Sequence, residues 1–199
     1  MTEFHPYNNT TFYGASKIAG EHMLKSLYHR YKNTEKAFDY CGLRYFNVYG
    51  PRQDYMGAYV AVIMKILDRL DKNLSPVVYG DGSQAYDFIA VQDCAKANIC
   101  AMKSDATDNF YNVCTGTKTS IKELAEMILE ITGKQFPIEY NTQGVSFVKN
   151  RIGSTVKIQK DLSFFPDINL KEGLMKLIEW RSKHKYELEM RKSKAGAAE

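Results

Sequence analysis

A long helical pattern followed closely by a strand-forming stretch constrains the fold of this chain more than any other feature. Apolar residues recur at helical spacing from residue 13 to about residue 31, with charged residues between them. The stretch FDYCGLRYFNVYG then brings aromatic and β-branched residues without helical period, and Gly50-Pro51 ends it. A helix joined to a buried strand by a short link predicts an α/β fold built in layers.

The same alternation continues along the rest of the chain. Helical patterns cover about residues 59–70, 93–102, 121–132 and 170–185. Strand patterns lie in PVVYG, DFIAV, NFYNVCTG and FPIEY, whereas residues 141–151 are typical of a loop. Asp93 is predicted as a helix N-cap, Thr119 or Ser120 as the start of the next helix, and Gly133 as its end.

Composition excludes several classes of protein. With 44% hydrophobic and 25% charged residues, the chain is an ordinary globular one rather than a fibre or a disordered segment. No apolar run is long enough for a membrane span, and the opening MTEFHPYNNT lacks the features of a signal peptide, so we predict a cytoplasmic protein without membrane contact. The basic stretch from Arg181 to Lys194 accounts for the whole net charge of +4, which argues against nucleic-acid binding.

The cysteines and histidines do not predict a metal site. Each cysteine lies in an apolar neighbourhood, without a C-x-x-C pair, and is predicted to be a reduced packing residue. The four histidines share no metal-ligand spacing with them or with carboxylates. The cysteines are Cys41, Cys94, Cys100 and Cys114.

The segment YGASK places Tyr13 and Lys17 one helical turn apart. Residues four apart lie on one face of a helix, so a phenol and an ammonium can sit side by side there. Free tyrosine has a pKa of about 10, and a neighbouring ammonium favours the phenolate that a base needs at neutral pH. Tyr28 and Lys32 repeat the spacing, so the spacing alone is not specific, and that second pair is predicted to lie in a solvated last turn.

Four blocks in order carry a more specific signal. YGASK is followed by GLRYFNVYGPRQ, YGDGSQAYDFIAVQDCAKAN and YNVCTGTKTSIKELAEMI. In these blocks the chain resembles the extended short-chain dehydrogenase/reductase family, and particularly its nucleotide-sugar epimerases of the UDP-glucose 4-epimerase type. The resemblance runs from about residue 2 to residue 181, and it matches Tyr13 and Lys17, but not Tyr28 and Lys32, to the catalytic pair of the family.

The resemblance implies an NAD-dependent enzyme that removes and returns a hydride at the sugar C4. Tyr13 would be the general acid/base, and Lys17 would assist it and bind the nicotinamide ribose. The other implied contacts are Tyr45 and Phe46 at the nicotinamide, Asn47 at the substrate diphosphate, and Val78 and Tyr79 at the nucleotide base.

Two departures from the family pattern concern the substrate diphosphate. Tyr86 stands where the family usually has a diphosphate-binding arginine, and the second usual arginine falls at Gly144. A diphosphate needs one or two cations or several N–H donors. We therefore predict that Lys149 or Arg151 supplies the missing charge, the alternative being that both are ordinary solvated loop residues.

The glycine-rich loop that holds a dinucleotide pyrophosphate is missing from the sequence, which contains neither G-x-x-G-x-x-G nor G-x-G-x-x-G. We therefore predict the C-terminal part of a longer enzyme: the second half of a Rossmann-type parallel-sheet domain, interleaved with a small substrate-binding domain. Residues 1–50 and 87–118 are assigned to the Rossmann-type domain, 51–86 and 119–185 mainly to the substrate-binding domain, and 186–199 to a solvated tail.

Two alternatives to epimerisation stay open. A nucleotide-sugar dehydratase or decarboxylase of the same family would be distinguished by residues upstream of this sequence. A non-catalytic nucleotide-sugar-binding module, a different class of protein, would also account for the missing glycine loop. For the full-length enzyme, the resemblance further implies a homodimer through the outer face of the helix at 13–31.

Overall fold

The computed structural model describes residues 1–53, 62–142, 149–187 and 190, and its helices and strands alternate as an α/β fold. The helices are α1 Phe12–Tyr31, α2 Val62–Asp71, α3 Val91–Lys103, α4 Ile121–Thr132, α5 Val156–Leu162 and α6 Leu170–Lys183. The strands are β1 Cys41–Tyr45, β2 Asn47–Tyr49, β3 Val77–Tyr79, β4 Ala85–Tyr86, β5 Phe88–Ala90, β6 Asn109–Val113, β7 Thr119–Ser120, β8 Glu139–Asn141 and β9 Asn150–Arg151.

Local capping chemistry sets the ends of α4 as the sequence predicts. The Ser120 side chain accepts a hydrogen bond from the Glu123 amide, and the Glu123 carboxylate accepts from the Ser120 amide, which forms a capping box. Gly133 ends the helix in the left-handed region at φ 66°, which glycine adopts without strain. Helix α2 is confirmed from Val62 onward, and residues 59–61 of its predicted span lie outside the described residues.

The predicted N-cap role of Asp93 is wrong. Helix α3 begins two residues earlier, with Ala90 at the cap position and no side-chain cap. Asp93 is instead buried in the first turn, where its carboxylate accepts the amides of Asp167 and Ile168. A buried carboxylate needs such donors, and here they tie the segment before α6 to α3.

The stretch predicted as one strand forms two strands with different partners. β1 pairs in parallel with β6, and β2 pairs in parallel with β5. The change takes place between Phe46, whose amide donates to the Val113 carbonyl, and Asn47, whose amide donates to the Asp87 carbonyl. One extended stretch therefore passes from one neighbour to the next at Asn47.

The remaining strands form two small sheets. β3 pairs in parallel with β8, which begins only at Glu139, because Pro137 in the predicted strand FPIEY lacks an amide hydrogen to donate. β4 lies between β7, antiparallel, and β9, parallel. β9 falls inside the predicted loop, and α5 follows it in a segment for which no helix is predicted.

Buried apolar residues form two clusters that hold these layers together. The larger cluster is contributed mainly by α2, α4 and α6, and the smaller one by α3, β6 and α5. The predicted α/β class is confirmed, whereas the division into interleaved domains stays a prediction. Cys94 and Cys114 are buried free thiols, and burial raises the pKa of each to about 12, as expected of packing residues.

Asp87 connects four segments of the chain. Its fully buried carboxylate accepts hydrogen bonds from the amide and hydroxyl of Thr115 at 2.8 and 2.7 Å, from the Gly116 amide at 2.8 Å and from the Gly153 amide at 3.3 Å. Its backbone carbonyl accepts from the backbone and side-chain amides of Asn47. The junction of β4 and β5, the loop after β6, the segment after β9 and the start of β2 therefore all meet at one residue.

We expect Asp87→Ala to lower the free energy of unfolding by about 3 kcal/mol or more, because it leaves several buried donors without an acceptor. Asp87→Asn keeps one acceptor oxygen and should cost less. Urea denaturation of the variants measures both effects, with the exposed Asp105→Ala as a matched control. Equal stability of Asp87→Ala and Asp105→Ala would show that the carboxylate does not hold these segments.

Candidate functional site

Tyr13 and Lys17 lie together on the first turns of α1. The Thr11 hydroxyl accepts the Gly14 amide at 3.1 Å and caps the helix, so that α1 begins immediately before Tyr13. The Lys17 ammonium nitrogen lies 5.1 Å from the centroid of the Tyr13 ring, within reach of a cation–π contact. Tyr13 is 58% exposed. The predicted pair thus shares one helical face, with the phenol accessible to a ligand.

Tyr28, which repeats the spacing, has different surroundings, and its prediction as part of a solvated turn is wrong. Its half-buried ring lies 5.5 Å from the ring of Tyr40 and 6.2 Å from that of Phe38, centroid to centroid. Lys32 is exposed, as predicted. Tyr13 is therefore exposed, whereas Tyr28 is not. Tyr28 is half-buried because it packs against Phe38 and Tyr40, at the end of the connection between α1 and β1.

A bidentate ion pair fixes α1 against β1. The Arg44 guanidinium donates to both Glu21 carboxylate oxygens at 2.7 and 2.6 Å, and it donates to the Glu3 carbonyl at 2.8 Å. Burial alone would raise the pKa of Glu21, but hydrogen bonds from Arg44 and Tyr7 and the Arg44 charge outweigh it and lower the pKa. Because Glu21 lies one turn beyond Lys17, the Glu21–Arg44 ion pair also orients the helical face that carries Tyr13 and Lys17.

Tyr45, Phe46 and Asn47 follow one another where the strand changes partner. Tyr45 is 44% exposed, and its hydroxyl accepts the Asn98 side-chain amide at 2.7 Å. Phe46 is half-buried. The Asn47 side-chain amide donates to the Asp87 carbonyl at 3.0 Å, which fixes its orientation. The three predicted ligand contacts are thus held at one point of the fold.

Asn47 also reaches a cavity of about 600 Å³ between α2, β3, β4 and β5. Of the predicted substrate contacts, Asn47, Tyr79 and Tyr86 line it. Tyr79 lines it together with Val77, whereas the Val78 side chain is fully buried in the larger core cluster, because alternate strand residues point to opposite faces. The full lining is Asn47, Val48, Val62, Ile63, Lys65, Asp68, Arg69, Val77, Tyr79, Gln84, Tyr86, Phe88 and Ile121.

The two loop cations predicted to meet a diphosphate are not among the residues that line this cavity, although both lie in the described part of the chain. Arg151 is exposed and is the strand neighbour of Tyr86 in the β4–β9 pair. Lys149 is exposed as well. Gly144, where the family's second arginine would fall, lies outside the described residues. The roles of Lys149 and Arg151 stay predictions.

The cavity also contains polar residues that the sequence analysis missed. Lys65, Asp68 and Arg69 recur at helical spacing on α2, opposite its buried apolar residues, and Gln84 follows the Gly-rich turn. The Gln84 side-chain amide donates to the Tyr79 carbonyl at 2.6 Å. The helical periodicity of α2 gives these side chains a common face, but only the fold shows that this face meets β3 and β4.

The described residues offer neither a metal cluster nor a membrane-spanning helix. They contain no group of three or more His, Cys, Asp or Glu side chains placed to hold a metal ion. They also contain no helix that is long and apolar enough to cross a membrane.

The chain matches known proteins along most of its length. Residues 1–114 match the model of the NAD dependent epimerase/dehydratase family. A Methanocaldococcus jannaschii protein whose name places it among UDP-glucose 4-epimerases is 39% identical over 180 residues, which cover 90% of this chain and 56% of that protein. A UDP-N-acetyl-alpha-D-glucosaminuronate decarboxylase of Bacillus cytotoxicus is 30% identical over 144 residues, covering 69% of this chain and 44% of that protein.

A solved structure gives the same match in three dimensions. The UDP-N-acetylglucosamine 4-epimerase of Methanobrevibacter ruminantium, in complex with UDP-N-acetylmuramic acid, superposes with a TM-score of 0.85 at 34% identity. The match covers 92% of this chain and 57% of that one. The chain therefore spans about half the length of the relatives it matches.

We expect Glu21→Gln to lower the free energy of unfolding by about 1–3 kcal/mol at pH 7, because a partly buried charged hydrogen-bond partner of Arg44 is lost. A carboxylate whose pKa is lowered by folding stabilises the fold above its ordinary pKa, and this contribution is lost as the pH falls through the folded-state value. The difference in the free energy of unfolding between Glu21→Gln and the unsubstituted chain should therefore shrink as the pH falls below about 4.

Urea denaturation at pH 7 and at about pH 3 measures this difference, with the exposed Glu35→Gln as a control that should show none. A deficit of Glu21→Gln that is the same at both pH values would show that the Glu21 charge does not fix α1.

Proposed function

Because this chain belongs to the NAD dependent epimerase/dehydratase family, we propose that it forms the C-terminal part of an NAD-dependent nucleotide-sugar 4-epimerase. The observation that carries the proposal is the exposed Tyr13 with the Lys17 ammonium over its ring. The UDP-sugar names of the relatives support a nucleotide-sugar substrate. Since the chain spans about half of those relatives, the activity is proposed for the whole enzyme.

In this proposal Tyr13 moves the proton of the reaction. Its phenolate takes the proton from the sugar 4-hydroxyl and later returns it, while the Lys17 ammonium lies beside its ring. The chemistry that NAD supplies when bound is the acceptance and return of a hydride at the same sugar carbon.

In this proposal, four residues of this chain hold the nicotinamide-ribose end of the dinucleotide. Tyr13 and Lys17 offer a hydroxyl and an ammonium at the start of α1, and Tyr45 and Phe46 stand at the end of β1. The glycine-rich loop expected for the pyrophosphate is not in the printed sequence. This chain would therefore hold only one end of NAD.

We assign the nucleotide part of the substrate to the cavity behind Asn47. Asn47 would meet the diphosphate, and Tyr79 with the backbone of Val78 would meet the base. Tyr86 lines the cavity where the family has an arginine, and its phenol supplies a hydrogen bond rather than a positive charge. Lys149 or Arg151 would add charge from the side of β9.

A decarboxylase is the second candidate, because a relative with that name is 30% identical to this chain. It would use the same substrate cavity and the same tyrosine and lysine. The product distinguishes the two, since epimerisation conserves the mass of the nucleotide sugar and decarboxylation releases carbon dioxide.

Exchange of Tyr13 in the full-length enzyme tests the proposal. We expect Tyr13→Phe to reduce the turnover number for 4-epimerisation of a UDP-sugar by at least about a hundred-fold, because the proton-transfer group is lost. Tyr28→Phe removes the same hydroxyl from the other Tyr-x-x-x-Lys pair and should leave turnover unchanged. Retained turnover in Tyr13→Phe would exclude Tyr13 as the acid/base.

We also propose that the outer face of α1 forms a homodimer contact in the full-length enzyme. The inner face carries the half-buried Ile18, Leu24 and Tyr28, whereas Met23 and Leu27 on the outer side are 64% and 47% exposed. Exposed apolar side chains on a helix are a common basis for association.

Light scattering should therefore show a dimer at micromolar concentration, and the double substitution Met23→Glu with Leu27→Glu should convert it to monomer, since it places charge in the contact. Lys25→Glu, a charge change on the same helix, serves as the control. A clean monomer of the unsubstituted enzyme at tens of micromolar would remove this proposal.

A further inference from the structure

The charged residues around the cavity are not all paired with a partner. Three charged residues line it, and all three lie on α2. Asp68 accepts a hydrogen bond at 2.8 Å from the buried Arg181 guanidinium, which also pairs with Asp71. Arg69 donates to the Ser75 carbonyl and forms an ion pair with Glu139 at 3.2 Å. Within the described part of the chain, Lys65 has neither an ion pair nor a side-chain hydrogen bond.

Helix α2 holds Lys65 in place by its packing. Ile63, Met64, Ile66 and Leu67 around it in sequence are all buried in the larger core cluster, whereas Lys65 is exposed. The helix is further tied to α6 through Arg181, which binds both Asp68 and Asp71. A lysine on a fixed helical face brings its ammonium to the cavity wall at little further cost in backbone entropy.

The neighbouring polar groups on the cavity wall fit an anion. Asn47 lines the same cavity and offers amide hydrogens, and Tyr86 offers a hydroxyl. Both can donate a hydrogen bond to an anionic oxygen, but neither carries a charge. An ammonium without an ion-pair partner, beside neutral donors, attracts an anionic group at that point of the cavity wall.

We infer that Lys65 binds the diphosphate of the substrate, a nucleoside diphosphate linked to a sugar, beside Asn47. The inference rests on the proposed function, and it adds a binding residue that neither the motifs nor the family resemblance points to. Tyr86 leaves that diphosphate without the usual arginine on β4, and Lys65 supplies the charge from α2. Arg151 lies beside Tyr86 in the sheet but does not line the cavity.

Calorimetric titration of the 199-residue chain with UDP and with uridine tests this assignment. We expect Lys65→Gln to weaken UDP binding by about ten- to a hundred-fold, the usual effect of losing a charge-assisted contact. Uridine, which lacks the diphosphate, should bind both forms equally. Lys65→Arg should retain most of the affinity for UDP, and the loss in Lys65→Gln should shrink as salt is raised, because screening weakens the same contact.

Two control variants make the result specific. Lys72→Gln makes the same charge change just beyond the end of α2, away from the cavity, and should leave UDP binding unchanged. Arg151→Gln tests the competing loop cation, and we expect a smaller effect than that of Lys65→Gln. Unchanged UDP binding in Lys65→Gln, or a larger loss in Arg151→Gln, would overturn the role of Lys65 while leaving the nucleotide site in place.

A wrong assignment of the proposed function would give results different from a wrong assignment of Lys65. If the unsubstituted chain bound neither UDP nor uridine, the cavity would not be a nucleotide site, and the role of Lys65 would be overturned with it. Equal loss of UDP and uridine affinity in Lys65→Gln would indicate a damaged cavity rather than a lost diphosphate contact, and it would also overturn the assignment.

Discussion

A buried carboxylate at Asp87 is the interaction on which the site depends most. A fully buried carboxylate is costly unless donors surround it, and here the donors come from Thr115, Gly116 and Gly153. The same residue accepts Asn47 through its backbone carbonyl. The energetic requirement of one charge thereby fixes the relative positions of β2, β5, β6 and the segment after β9. Asn47, which links the start of β2 to the cavity, is positioned by that requirement.

The Tyr13–Lys17 pair and the cavity are held by separate means. Tyr13 and Lys17 depend on α1, which contains no buried residue and is fixed through Glu21 and Arg44. The cavity depends on the apolar cluster of α2, α4 and α6. A polar contact of this kind weakens in acid, so acid acts directly on the attachment of α1. The extended stretch from Arg44 in β1 to Asn47 in β2 joins the helix to the cavity.

What could be predicted from the sequence follows from whether the determining interactions are local. Ser120 and Gly133 end their helix through contacts within four residues, and both were predictable. The buried role of Asp93 was not predictable, because its partners lie more than seventy residues away. In the sequence, an aspartate buried in the first turn cannot be told from one that caps the helix. Tyr28 becomes half-buried only because Phe38 and Tyr40 return to it.

The site shows the same division. The Tyr13–Lys17 contact follows from helical periodicity, and the strand change at Asn47 does not, because the stretch across it has no turn signal. Lys65 could not be singled out among the many lysines of the chain. Its meaning depends on which charges pair with each other across the fold, and hydrophobic patterning carries no information on that pairing.

The pairing of Arg181 with Asp68 also has a consequence for synthesis. The two residues lie 113 positions apart in the chain, and α6, which carries Arg181, also contributes Leu174 and Leu177 to the core under α2. A growing chain therefore leaves the part of the α2 surface that α6 covers exposed until α6 has been made. An apolar surface that stays exposed during synthesis promotes association between chains, so completion of α6 protects α2.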